Sequence, residues 1–255
     1  MFRLPVARIK MPKDPAYANK GSQRWLQIAV EEAPELIDAQ IRSAMNLPSE
    51  VSIEWLCPVR GTQFGEYRDE AFLKLLGIEL PLKQLRAFWP SRGPMWDGLA
   101  RTSRGEIILV EAKAHIPEMV SPSSKATGAS EKQIAAALEE TRKALAPKST
   151  VSWSGIFYQY TNRLAHLYLL RSLNGIRAHL VYVYFTNARD VFGPASREEW
   201  EGAIKVMVTY LGLGRHKLGR YVHHVFLDVD EMQRKARHAL AESPIRAASQ
   251  AAATG

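Results

Sequence analysis

Two kinds of apolar pattern alternate along this chain, one at helical spacing and one in short β-branched runs. Residues 1–20 carry Pro5, Pro12 and Pro15 among basic residues and read as an irregular arm. Ser22 is placed to cap a helix to about Ala33, which Pro34 breaks, and a second helix from Glu35 to Met45 ends before Pro48. Val51–Leu56 reads as a strand, Glu66–Leu76 as a helix closed by Gly77, and Gln84–Trp89 as a short strand. A hairpin is expected over about 95–115, then a mobile Ser-rich loop from Pro117 to Gly128. Helices over Ser130–Leu145 and Ile156–Leu173 precede an apolar strand at Ala178–Thr186. A helix capped by Ser196 runs to about Leu211, and Tyr221–Leu227 is the last strand. Residues 243–255 are Ala-rich, without pattern, and read as a flexible tail.

The sharpest segment is Trp96-Asp97-Gly98-Leu99-Ala100, followed by Glu106-Ile107-Ile108-Leu109-Val110-Glu111-Ala112-Lys113. Side chains alternate along a strand, so Ile107, Leu109, Glu111 and Lys113 share one face, and Ile108, Val110, Ala112 and Ala114 the other. A strand apolar on both sides belongs inside a sheet, where two charges are costly unless compensated. Thr102-Ser103-Arg104-Gly105 is turn chemistry. A hairpin folded about Arg104 sets Arg101 opposite Ile107, Leu99 opposite Leu109 and Asp97 opposite Glu111. A slip of one residue would spoil this pairing.

Adjacent carboxylates repel, and one takes up a proton unless a cation intervenes. Mg²⁺ suits all-oxygen ligation by one or two carboxylates with retained waters, and such a site can hydrolyse a phosphodiester. Lys113 would hold the scissile phosphate or act on the attacking water. The bland alternative is a surface hairpin with solvated charges, since Glu-x-Lys alone recurs about once in a chain of this size.

At these residues the chain resembles the PD-(D/E)xK nuclease superfamily, whose pattern is an Asp, usually after Pro, and then (Asp/Glu)-x-Lys on the next strand. Here Trp96 stands where Pro is usual, and the nearest proline is Pro94. The resemblance covers about residues 60–190 of a nuclease-like domain expected over 21–242. It implies an α/β restriction-endonuclease-like fold: an αβββαβ core with a central mixed sheet flanked by helices, plus N- and C-terminal additions. It implies Asp97, Glu111 and the Ala112 carbonyl as ligands of Mg²⁺, for which Mn²⁺ can substitute, and Lys113 as the catalytic lysine. An acidic residue ahead of the hairpin often assists the metal in this superfamily. Glu66 is the first choice for it and Asp69 the second, against the plainer reading of an acidic first helical turn.

Gln159, Asn162, Arg163 and His166 fall at i, i+3, i+4 and i+7 and form one polar stripe beside an apolar one of Tyr160, Leu164 and Leu167. Gly155-x-x-x-Gln159 is similar to the glutamine-bearing helix of RecB-like nucleases. The resemblance implies Gln159 as part of the catalytic set. Two amides, an Arg and a His aligned on a helix otherwise suited to burial point to a phosphate backbone, with Arg163 and Asn162 toward substrate, or to orienting Lys113 and the metal waters; a solvated helix face is the alternative. His115 continues the Glu111/Lys113 face by alternation and is a further substrate-binding candidate. The seven histidines form no metal cluster in the sequence.

Net charge changes the picture of partners. At +8 the chain favours an anionic partner, with nucleic acid first and DNA the expected substrate. One cysteine, Cys57, rules out an intrachain disulfide and suits a reducing cytoplasm. No apolar run approaches membrane-spanning length, so no membrane partner is expected. Three readings remain open: an Mg²⁺-dependent endo- or exonuclease, a non-catalytic module binding nucleic acid or protein on the same fold, and a defence or mobile-element endonuclease that needs a partner subunit or a second copy.

Overall fold

A computed structural model describes residues 16–237; most of the N-terminal arm and the whole Ala-rich tail lie outside it. Helices α1 (Gly21–Glu32) and α2 (Pro34–Ala44) come first. Pro34 does break the first helix, and it also opens the second, where a missing N–H costs nothing. Strand β1 (Ile53–Cys57) follows, then α3 (Asp69–Leu76) and the one-turn α4 (Leu85–Phe88). The hairpin is β2 (Gly98–Thr102) and β3 (Ile107–Lys113). After it come α5 (Gly128–Leu145), α6 (Tyr158–Tyr168, continued as a π turn to Leu173), β4 (Ala178–Thr186), α7 (Arg197–Tyr210) and β5 (Val222–Asp228).

The five strands form one open mixed sheet in the order β1-β2-β3-β4-β5. β2 runs antiparallel to both β1 and β3, whereas β3, β4 and β5 run parallel. The parallel steps cross over through α5–α6 and through α7, as such connections require. The hairpin register is the one the sequence predicts: Leu99 faces Leu109 and Arg101 faces Ile107. Gly105 supplies the left-handed turn position, with φ +75°.

Each face of the sheet has its own core. Ile108, Val110 and Ala112 of β3, with Ala114 just past its end, pack with Val181, Val183 and Phe185 against α1 and α2. Leu109, Tyr182 and Tyr184 pack on the opposite face beneath α3, α5, α6 and α7. β3 and β4 are buried along their whole length, as double coverage demands. Ser196 caps α7 by accepting from the Glu199 N–H. Among the described residues, no helix is long and apolar enough to cross a membrane.

Two elements differ from the sequence reading. Gln84–Trp89 is not a strand: Leu85 and Phe88, one helical turn apart, both enter the core, and packing overrides the β-propensity of the aromatic residues. The helix expected from Glu66 begins only at Asp69. The three residues before it are extended, and Tyr67 bridges antiparallel to Trp96.

Candidate active site at the β2–β3 hairpin

Asp97 sits at the mouth of β2, one residue before Gly98, which pairs with Val110. Its Oδ2 accepts a 2.8 Å hydrogen bond from the Ala112 N–H, which pins the carboxylate across the hairpin beside Glu111. Gly98 is required by close approach: a Cβ there would lie 3.1 Å from Trp55 Cζ3 and 3.1 Å from Val110 Cβ.

Glu111 is 2 % exposed and lies between two cations. Its Oε1 is 2.5 Å from Lys113 Nζ, and its Oε2 is 2.7 Å from Arg163 Nε and 2.6 Å from Nη2. Lys113 Nζ also donates to Gln159 Oε1 at 3.1 Å. Arg163 extends this frame by donating to Asn162 Oδ1 and to the Met95 carbonyl, and its guanidinium lies 5.0 Å over the Trp96 ring. Trp96 is thus a platform for the arginine that holds Glu111.

Two carboxylates and two cations balance in number, but both cations pair with Glu111 and neither with Asp97. Burial alone would raise the Glu111 carboxyl, but Arg163 and Lys113 outweigh it and hold it below the ordinary range. Burial would likewise depress Lys113, but the charges of Glu111 and Asp97 keep its ammonium protonated. Asp97 has no such partner at hydrogen-bond distance. Burial first, and then the Glu111 charge, push it up to about 7. Glu66, half-buried, is raised for the same two reasons, while a 2.8 Å hydrogen bond from Gln23 Nε2 of α1 opposes the shift.

This donor set fits a hard divalent cation. Asp97 is a carboxylate with no cation at hydrogen-bond distance, Glu111 adjoins it, and Glu111 Oε1 keeps a second lone pair beside its bond to Lys113. Among the described residues no group of three His, Cys, Asp or Glu side chains is arranged to hold a metal.

The remaining candidates divide. Gln159 and Arg163 reach the site from α6. Arg163, 5 % exposed, is foremost the counter-ion of Glu111, and Asn162 braces it; both also line the cleft beside the site. The polar stripe is not a solvated face, since Asn162, Arg163 and His166 are all buried. His166 belongs to the core: its Nδ1 meets the Asn162 carbonyl, Trp89, Trp96 and Phe72 surround the ring, and burial lowers it to about 4. Asp69 is taken up by the Arg92 and Gly93 N–H groups and by Arg86, away from the carboxylates. His115 lies past the end of β3 with Nδ1 2.8 Å from Glu118 Oε1, and the other Glu118 oxygen accepts from the Ala114 N–H; it joins none of the site groups.

A cleft of about 750 Å³ opens beside these groups, between residues 90–95, the Ser-rich stretch 121–127 and α6. Gln159 and Arg163 form its inner wall. Ser121 fastens the Ser-rich stretch by accepting from the Gln159 N–H at 2.8 Å. Nothing in the sequence pattern brought Arg92, Ser121 or Lys125 to this place. Compared with family models, curated proteins and solved structures, the chain matches none.

Proposed function

We propose that this protein is an Mg²⁺-dependent phosphodiesterase of the PD-(D/E)xK type acting on nucleic acid, with DNA as the expected substrate, and that its sheet is a restriction-endonuclease-like αβββαβ core. The observation that carries the reading is the Asp97–Glu111–Lys113 cluster, with Asp97 raised to about 7 beside a second buried carboxylate. Protein stability alone gives little reason to bury two carboxylates side by side, one raised by the charge of the other, whereas a cation site does. The strand order, with three antiparallel strands and then a parallel crossover strand, supports the fold assignment.

Asp97, Glu111 and the Ala112 carbonyl would hold the ion, with Glu66 close enough to feel the Glu111 charge. When bound, Mg²⁺ supplies charge neutralisation at the phosphodiester and a more acidic water. The chain's own residues do the rest. Lys113 Nζ, kept as an ammonium and aimed by Glu111 and Gln159, offers positive charge to the phosphate oxygens as negative charge builds on them. Arg163 fixes the Glu111 rotamer from behind, and Trp96 fixes Arg163.

One observation favours a second reading, a nucleic-acid-binding module that does not cut: both Glu111 oxygens are already engaged by Lys113 and Arg163. Incubation with circular, linear and single-stranded DNA plus Mg²⁺ or Mn²⁺ separates the two. Cutting that vanishes in Lys113→Ala and Asp97→Ala supports the hydrolase. Binding without cutting under every metal condition supports the module.

A further inference from the structure

The cleft beside the hairpin has a lopsided chemistry. Its wall carries three cationic side chains, Arg92, Lys125 and Arg163, and no carboxylate. Arg163 is neutralised by Glu111, but Arg92 and Lys125 are exposed, and among the described residues neither side chain forms an ion pair. Serine and threonine hydroxyls line the outer part. Tyr158, half-buried at the start of α6, is the one aromatic ring among the lining residues, and its hydroxyl is tied to Ser124 and Asn162. The Ser121–Gln159 bond makes the wall continuous with the residue that holds Lys113.

Unpaired cations, hydroxyl donors and an aromatic ring are the elements that bind a single nucleic-acid strand: charge follows the phosphates, and the ring takes a base face. At about 750 Å³ the cleft has the size of a small-ligand pocket, which admits a short stretch of one strand and excludes a duplex. We propose that this cleft is a single-strand binding site, in which Arg92 and Lys125 contact the phosphates and Tyr158 stacks on a base. It would deliver the strand past Gln159 to Lys113. The inference rests on the nucleic-acid reading above and narrows it: the substrate reaches the site unpaired, as an end, a flap or a melted segment.

The test reads binding without cutting. Fluorescence anisotropy of a labelled short oligothymidylate, and of a duplex of equal length, is followed against salt concentration in chelator. The wild type should bind the single strand more tightly than the duplex. Arg92→Gln/Lys125→Gln should weaken single-strand binding by about tenfold or more and flatten the log–log salt slope by about 1.4, at about 0.7 for each phosphate no longer neutralised. Lys205→Gln/Lys217→Gln removes the same charge from exposed positions elsewhere and should leave the slope nearly unchanged. Tyr158→Leu should lower affinity with the slope intact, because stacking releases no counterions.

Equal or tighter duplex binding, no single-strand binding, or equal losses in the cleft and control pairs would overturn the proposal. Cutting assays on the wild type stand apart from these outcomes. A protein that binds the strand through the cleft but never cuts refutes the hydrolase and keeps this site. One that cuts, with an unchanged slope in Arg92→Gln/Lys125→Gln, keeps the hydrolase and refutes this site.

Discussion

Replacing Asp97 by Asn should make the protein more stable, and only above acidic pH. The Asp97 carboxyl is raised from an ordinary 3.8 to about 7 by burial and by Glu111. A carboxyl raised on folding contributes stability that is complete below its unfolded pKa and is lost as pH rises through the folded value. A shift of about 3 units corresponds to at most about 4 kcal/mol. Asp97 keeps some contact with solvent, which reduces the realised figure to roughly 2 kcal/mol. Asn keeps an oxygen to accept the Ala112 N–H and removes the titrating charge. Urea unfolding at pH 8 should therefore show Asp97→Asn more stable by roughly 2 kcal/mol, a rise of about 4–8 °C in Tm for a domain of this size. By pH 4 the difference should shrink toward zero. Saturating Mg²⁺ at pH 8 should stabilise the wild type by about 2–3 kcal/mol at a hundredfold excess over Kd, and the variant far less. A variant no more stable at pH 8 than at pH 4, or one that Mg²⁺ stabilises as much as the wild type, would refute the reasoning.

Three other outcomes follow from the same geometry. Glu111→Gln leaves Lys113 and Arg163 buried without their counter-charge and should cost about 3–5 kcal/mol in chemical denaturation, with Arg163→Met milder because Lys113 still pairs with Glu111. Gly98→Ala forces a Cβ against Trp55 and Val110 and should lower stability by about 1 kcal/mol or more, measured by thermal unfolding. His166, lowered to about 4 by burial, contributes stability present above its unfolded pKa of about 6.5 and lost as pH falls toward 4. His166→Phe should flatten that acid limb in part, since burial also lowers His179 and His224.

Local chemistry was legible in the sequence where one element decided the outcome. The apolar run 106–114 pointed to an interior strand over a surface hairpin, and a hairpin folded about Arg104 gave the register found, which a one-residue slip would have spoiled. Ala178–Thr186 was legible for the same reason, as nine buried residues without a break. Roles that depend on how elements pack were hidden. Helical periodicity shows that Gln159, Asn162, Arg163 and His166 share a face, but not that this face meets the sheet. So the sequence left Arg163 between contacting a phosphate and orienting the site, and only the packing shows its donors serving Glu111, Asn162 and Met95. The extended course of residues 66–68 is set by the bridge from Tyr67 to Trp96, a contact between segments far apart in the chain. The cleft is assembled from three separate stretches, and no local pattern marks Arg92 and Lys125 as neighbours.

The central claim, that the Asp97–Glu111–Lys113 cluster hydrolyses phosphodiesters, is tested most directly by single-turnover cleavage of a DNA with both paired and unpaired segments. The assay uses excess protein and Mg²⁺, and compares wild type with Lys113→Ala. The account predicts cleavage in or next to the unpaired segment that requires the metal and is lost by at least about a hundredfold in the variant. Cleavage that persists undiminished in Lys113→Ala would contradict it, as would intact DNA under conditions where the wild type demonstrably binds both strand and metal.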